Sequence, residues 1–117
     1  MKVISEALAA AVLSVALAMP ATALASREVP TRSLTTSRVR MIDRTRNVFR
    51  PGTVTIDRGG RVRWVNRGDV AHTATFARWD SGTVPPGGSA SHRFRRSGTF
   101  RYHCLIHPEM TGTVIVR

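Results

Sequence analysis

The chain has 117 residues, of which 42% are hydrophobic, and a formal net charge of +11 at pH 7. This length is enough for one domain, and the hydrophobic content is too high for a disordered polycation. The single cysteine excludes an intramolecular disulfide. It also excludes any zinc or iron–sulfur site that needs four cysteines from one chain.

Residues 1–25 have the three parts of a secretory signal peptide. A cationic start at Lys2 precedes an apolar run over residues 7–19, and the small residues Ala23 and Ala25 form a cleavage pattern. The run is shorter than the roughly 20 apolar residues that a membrane span needs. We therefore expect export to a periplasm, a cell surface or the medium, with no membrane span after cleavage. The alternative is an apolar anchor that the protein retains.

The remainder of the chain has the pattern of short strands and turns. Residues 26–37 are polar and contain Pro30, which predicts a flexible lead-in before a domain at 38–117. Within that domain, side chains alternate with period two in the segments 38–41, 53–57, 61–64, 72–76 and 99–104, and 114–116 is an apolar run. Clusters of Gly and Pro separate these segments. The pattern predicts an all-β, two-sheet antiparallel sandwich of seven or eight strands.

Three metal donors follow one another near the C-terminus. Two residues separate Cys104 from His107, and two more separate His107 from Met110. We expect Cys104 to end a strand and the other two to lie on the short loop before the last strand. Thiolate and thioether select copper(I), and imidazole suits both oxidation states of copper. The alternatives are a buried structural cysteine and a core methionine.

A second histidine completes the set of donors. Residues 64–66 end one predicted strand and His72 begins the next, and a sandwich brings such strand ends together at one pole. Two His, one Cys and a long axial Met make up a blue-copper electron-transfer site. His103 alternates out of phase with Cys104, so we expect it to face solvent. His92 shares a strand face with apolar residues, and we expect it to be partly buried and not a ligand.

On these residues, the chain from about Val39 to Arg117 resembles the cupredoxins, the plastocyanin-like blue copper proteins, and most nearly the short-loop amicyanin type. The resemblance implies a Greek-key sandwich of about eight strands and one-electron transfer without substrate turnover. It also implies one type 1 copper per chain, bound by His72, Cys104, His107 and Met110. The motifs that carry the match are Phe49-Arg50-Pro51, the strand Gly60-Arg61-Val62-Arg63-Trp64-Val65-Asn66, and the strand from Gly98 to Cys104.

Three positions depart from the pattern of that family, and one of them is Glu109, where an apolar residue is common. Thr73 follows the first histidine where members usually have Asn, whose side chain ties the two ligand loops together. Thr73 must make this tie with a shorter hydroxyl, or the loops are looser. Ile106 stands where short-loop members often have Pro, and its amide could donate a second hydrogen bond to the Cys104 sulfur.

The function that we predict is that of an exported, non-enzymatic electron carrier, monomeric, that exchanges electrons with redox partner proteins. All cations except Lys2 are arginines, so we expect partners with an acidic docking surface, unless the arginines merely form a solvated surface.

Two other functions stay open. A copper chaperone or storage protein is one, but such proteins favour methionine-rich, open sites, and only Met41 and Met110 follow residue 25. An arginine-rich protein that binds anionic polymers is the other, without specific nucleic-acid recognition. Only Arg93, Arg95 and Arg96 cluster, which argues against it.

Overall fold

The computed structural model describes residues 35–117, which form seven β-strands. The predicted signal peptide, residues 1–25, lies outside the described residues, as does most of the predicted lead-in at 26–37. The strands are β1 (Thr36–Ile42), β2 (Val48–Arg50), β3 (Thr53–Ile56), β4 (Arg61–Asn66), β5 (Ser89–Arg93), β6 (Gly98–His103) and β7 (Thr111–Val116). Within residues 35–117, no helix has the length and apolar character that crossing a membrane requires.

The strands form two sheets, in the orders β2-β1-β4-β5 and β3-β7-β6. This confirms the predicted all-β sandwich. The sheets are mixed, however, because β1 pairs with β4 and β3 pairs with β7 in parallel. In both pairs the connecting chain passes through the other sheet before it returns, whereas a hairpin would have produced an antiparallel pair.

The core lies between the sheets and follows the period-two pattern of the sequence. Val39, Met41, Val62 and Trp64 are fully buried on β1 and β4, and Val114 is fully buried on β7. Burial of each such side chain stabilises the fold by about 1.5–3 kcal/mol. The Trp64 ring lies 5.5–5.7 Å, centroid to centroid, from its aromatic neighbours Phe76, Trp79 and Tyr102.

The segment 72–76, predicted as a strand, forms isolated bridges instead. His72 pairs with Val84, and Thr75 pairs with both Asp80 and His103. The ladder is interrupted because the amides of Thr73 and Ala74 donate to side chains rather than to a neighbouring strand. Their acceptors are the sulfur of Cys104 and the hydroxyl of Ser81, respectively. The same interruption places His72 beside the end of β6.

Candidate metal centre

Three predicted donors converge at one end of the sandwich. The donor atoms of His72, Cys104 and His107 all lie within 4.8 Å of one another. Cys104 Sγ is 4.0 Å from His72 Nδ1 and 3.7 Å from His107 Nδ1. His72 and Cys104 are fully buried, and His107 is half-buried. Both imidazoles therefore present the same ring nitrogen to the thiol.

Backbone hydrogen bonds shape the loop that carries three of the four predicted ligands. Cys104 directly follows β6, and its amide donates to the Met110 carbonyl at 3.0 Å. The Met110 amide in turn donates to the His107 carbonyl at 2.9 Å. The loop is thereby closed between β6 and β7, and Met110 is fully buried in the core. Because these hydrogen bonds close the loop, they keep Cys104 and His107 near each other at the end of the sheet.

Thr73 ties the two ligand segments together, which is the first of the two outcomes expected from the sequence; the other was looser loops. Its hydroxyl oxygen accepts a hydrogen bond from the Leu105 amide at 2.9 Å, and its own amide donates to Cys104 Sγ at 3.2 Å. The hydroxyl also lies 2.9 Å from the hydroxyl of Thr75. The shorter side chain therefore makes the link. Among the described residues, Thr73 is the amide that donates to the Cys104 sulfur, and a bond from Ile106 is not formed.

Asn66, at the end of β4, organises the approach to His72. Its amide nitrogen donates to the carbonyl groups of Val70 and Val84, at 2.8 and 2.9 Å. Its side-chain oxygen accepts from the Gly68 amide at 2.9 Å. Because Asn66 is fully buried, these bonds satisfy a polar group that would otherwise be costly to bury. They also fix the turn that leads from β4 to the first histidine.

Asp43 is a functional candidate that the sequence reasoning missed. Its carboxylate oxygen Oδ2 lies 2.8 Å from His72 Nε2, and the side chain of Asp43 is only 7% exposed. The same carboxylate accepts backbone hydrogen bonds from Asp69 at 2.9 Å and from Val70 at 3.1 Å. Chiefly the Asp69 amide, helped by His72 and Val70 and opposed by desolvation, holds the pKa of Asp43 below its usual value of 3.8.

The contact with Asp43 decides which ring nitrogen of His72 is free. An ionised carboxylate can only accept, so His72 Nε2 carries the proton and donates it to Asp43. In the neutral imidazole, Nδ1 is then the nitrogen without a proton, and it faces Cys104 Sγ. A carboxylate behind a histidine is the usual device that orients a metal-binding imidazole. The two ring nitrogens and the thiol are three of the four donors that the sequence predicted for copper, and Met110 is the fourth.

Gly68 makes room for this carboxylate. A Cβ atom at position 68 would overlap the carboxylate of Asp43. The only sequence signal for Asp43 is its position one residue after β1. Its place beside 68–70 follows from the parallel pairing of β1 with β4, in which Met41 lies opposite Asn66. Since that pairing was not predicted, Asp43 could not have been assigned to the site.

The two remaining histidines lie outside the cluster, as the sequence predicted. His103 is exposed on β6. His92 is half-buried on β5, where its ring stacks on Trp79 with a centroid distance of 4.4 Å. Burial lowers the pKa of His92 below its ordinary value of 6.5. Neither ring belongs to the group of converging donor atoms.

Exposed apolar residues lie close in sequence to the histidines of the cluster. The exposed large hydrophobic residues of the described chain are Val70 (46%), Leu105 (56%) and Ile106 (49%). Leu105 and Ile106 lie between Cys104 and His107, and Val70 lies two residues before His72. Exposed apolar residues that form one patch are typical of a protein-interaction surface.

Comparisons with known proteins bear on the family and on the fold. No protein-family model matches the chain. A plastocyanin from Scenedesmus fuscus is 34% identical over 88 residues, covering 60% of this chain and 87% of the plastocyanin. An amicyanin variant, in its reduced Cu(I) form at pH 4, aligns with a TM-score of 0.65 at 24% identity, over 70% of this chain and 82% of that chain. A purple cupredoxin from Nitrosopumilus maritimus aligns with a TM-score of 0.65 at 21% identity, over 69% of this chain and 99% of that chain.

Proposed function

The chain belongs to the plastocyanin-like cupredoxin family, and on this premise we propose that it binds one type 1 copper and carries single electrons between redox partner proteins. The proposed ligands are His72, Cys104, His107 and Met110. The observation that carries the proposal is the convergence of two imidazole nitrogens and one sulfur within 4.8 Å. When bound, copper would supply a one-electron couple, and no substrate would be turned over.

The residues around the site are arranged to hold the donor atoms still. Asp43 holds the ring of His72, and the Thr73 amide holds the Cys104 sulfur. Both ligands are fully buried in a core packed from two sheets. Donors that do not move between oxidation states suit rapid electron transfer. The same burial argues against a copper chaperone or store, because such a site must open to exchange its metal.

His107 is the proposed point of electron exchange with partners. Its ring is half-buried, whereas His72 is fully buried. The apolar surface formed by Val70, Leu105 and Ile106 would let a partner dock against this face and exclude water. We propose that His107 thus lies between the copper and the partner.

The positive charge would guide partners to this surface. The net charge of +11 favours encounter with a partner that has an acidic docking surface. We also propose that residues 1–25 direct export to a periplasm, a cell surface or the medium. The mature protein would act there as a monomer. These proposals rest on the charge and on the N-terminal sequence pattern.

Titration of the metal-free protein with Cu(II) tests the proposed ligands. We expect one equivalent to produce an intense blue absorption, which ascorbate bleaches as Cu(II) becomes Cu(I). Cys104→Ser should abolish the colour and leave the fold intact, because the strong band needs a copper–thiolate bond. Met110→Gln should keep the colour and lower the reduction potential, because an oxygen ligand favours Cu(II).

A matched pair of histidine variants supplies the control. His107→Ala should lose the wild-type spectrum, whereas His103→Ala, which alters an exposed histidine four residues away, should keep it. If the Cys104→Ser protein stays as blue as the wild type, or if His103→Ala loses the colour, the proposed ligand set is wrong.

A further inference from the structure

A second concave site lies apart from the proposed copper ligands. It is a cavity of about 380 Å³ between residues 76–79, the end of β5 and the start of β6. None of His72, Cys104, His107 and Met110 lines it. Its volume falls in the range of small-molecule sites, which begins near 300 Å³. The cavity can therefore be considered independently of the metal centre.

Aromatic rings form the wall of this cavity. Trp79 and His92 stack with their centroids 4.4 Å apart and their planes at 25°. Phe94 lies 5.7 Å from Phe76 and 5.6 Å from Phe100. Because burial keeps the pKa of His92 below its ordinary value, the neutral form of its ring dominates at neutral pH. The wall thus offers apolar aromatic surface against which another ring can pack.

Four arginines line the same cavity: Arg78, Arg93, Arg95 and Arg96. Among residues 35–117 the ion pair present is that between Asp43 and His72, so none of these four is paired with a carboxylate. The Nε atom of Arg93 is moreover buried without a hydrogen-bond partner. An unsatisfied buried donor is costly, and a guanidinium binds carboxylates through its fork of N–H groups. The cavity therefore combines an apolar wall with unpaired positive charge.

We propose that this cavity binds a small aromatic carboxylate, with its ring against Trp79 and His92 and its anionic group at Arg93. The apolar wall accounts for the aromatic ring of the proposed ligand, and the unpaired guanidinium groups account for its negative charge. An inorganic anion would leave the aromatic wall unused, and a neutral aromatic molecule would leave the positive charge of the four lining arginines unneutralised. The proposal goes beyond electron transfer and does not depend on the copper site.

Calorimetric titration with three probes tests both halves of this recognition. On copper-loaded and metal-free protein alike, we expect 1-naphthoate to bind at one site per chain. The neutral analogue 1-naphthamide should bind at least about tenfold more weakly, because it cannot form the charge-assisted bond to Arg93. Acetate, which has the charge without the ring, should not bind measurably. Equal binding of naphthoate and naphthamide, or of naphthoate and acetate, would overturn the proposal.

Variants of the cavity distinguish specific binding within it from long-range electrostatic attraction to the net positive charge. Arg93→Gln should weaken naphthoate binding about tenfold or more, whereas Arg38→Gln, the same charge change at an exposed position on β1, should not. Trp79→Leu should weaken binding about tenfold by removing a stacking surface, with thermal unfolding measured to verify the fold. If Arg93→Gln and Arg38→Gln lose the same naphthoate affinity, the net charge alone causes the binding and the proposal is overturned. Tighter binding of adenosine monophosphate than of naphthoate would overturn the assignment to a carboxylate.

Discussion

Replacement of Asp43 is the sharpest test of how the fold supports His72. In Asp43→Ala the His72 Nε2–H loses the acceptor that now lies 2.8 Å away, inside a site where His72 is fully buried. A buried donor without a partner costs about 1–3 kcal/mol. In a domain of this size, each kcal/mol corresponds to roughly 4–8 °C in Tm. The metal-free Asp43→Ala protein should therefore unfold about 4–24 °C below the wild type.

Metal binding should respond in the same variant. Loss of a carboxylate behind a metal-binding histidine typically weakens metal affinity about 10–100-fold. Competition with a chelator measures this affinity for Cu(II) without any redox partner. Asp43→Asn retains the shape and one acceptor oxygen but loses the charge, so its stability should fall less. Its reduction potential should rise, because the carboxylate favours the more positively charged oxidised site.

Two controls distinguish the role of Asp43 from the effect of removing any carboxylate and from the effect of replacing any glycine. Asp57→Asn makes the same charge change at an exposed position and should leave the potential and the affinity unchanged. Gly68→Ala should lower the Tm and the copper affinity at least as much as Asp43→Asn does, because its Cβ would overlap the carboxylate of Asp43. Gly52→Ala, where the nearest atom is 3.9 Å away, should be neutral. Wild-type Tm and copper affinity in Asp43→Ala would refute the reasoning.

Three further changes are expected to have measurable effects. Thr73→Val removes the acceptor for the Leu105 amide and should lower the free energy of unfolding by about 1–3 kcal/mol while the blue colour persists, because the amide of residue 73 still reaches Cys104. Loss of the colour would show that the hydroxyl also holds the metal. Burial depresses the pKa of His92 below 6.5, so the unfolded chain binds this proton first as pH falls. Chemical unfolding should therefore show stability that is level above about pH 6.5 and declines below it, and His92→Gln should flatten this slope. An unchanged slope in that variant would assign the effect to another group. The second-order rate with an acidic redox partner should fall steeply with salt, as the Debye length shrinks from about 10 Å at 0.1 M to about 3 Å at 1 M. A rate that is flat would mean that the arginines do not guide docking.

The sandwich and the donor set could be predicted because both are encoded locally. Alternation of side chains reports which face of a strand is buried, and β4 follows it at Val62 and Trp64. Cys104, His107 and Met110 lie on one short loop, so their spacing alone brings them near each other. His72 needed one more assumption, that strand ends meet at one pole of a sandwich. The structure brings it within 4.0 Å of the Cys104 sulfur.

What could not be predicted depends on contacts between distant parts of the chain. Asp43 is 29 residues from His72, and only the parallel register of β1 against β4 brings them together. The bridges at 72–75 were hidden for a similar reason. The alternation there predicts a strand, but the amides of Thr73 and Ala74 donate to side chains of other segments. A period in the sequence shows which way side chains point and not which partner the backbone finds.

The contacts of the two histidines give them different tasks within one site. His72 is held at its ring by Asp43 and at its backbone by two hydrogen bonds with Val84, of 3.1 and 2.7 Å. His107 is half-buried, and its ring approaches the Cys104 sulfur at 3.7 Å from a loop only a few residues long. One histidine is therefore held inside the protein at its ring by Asp43 and at its backbone by Val84, and the other is accessible at the surface where we propose that a partner docks. A rigid donor on the inside and an accessible one on the outside is the division that a carrier needs, because geometry must be kept while electrons enter and leave.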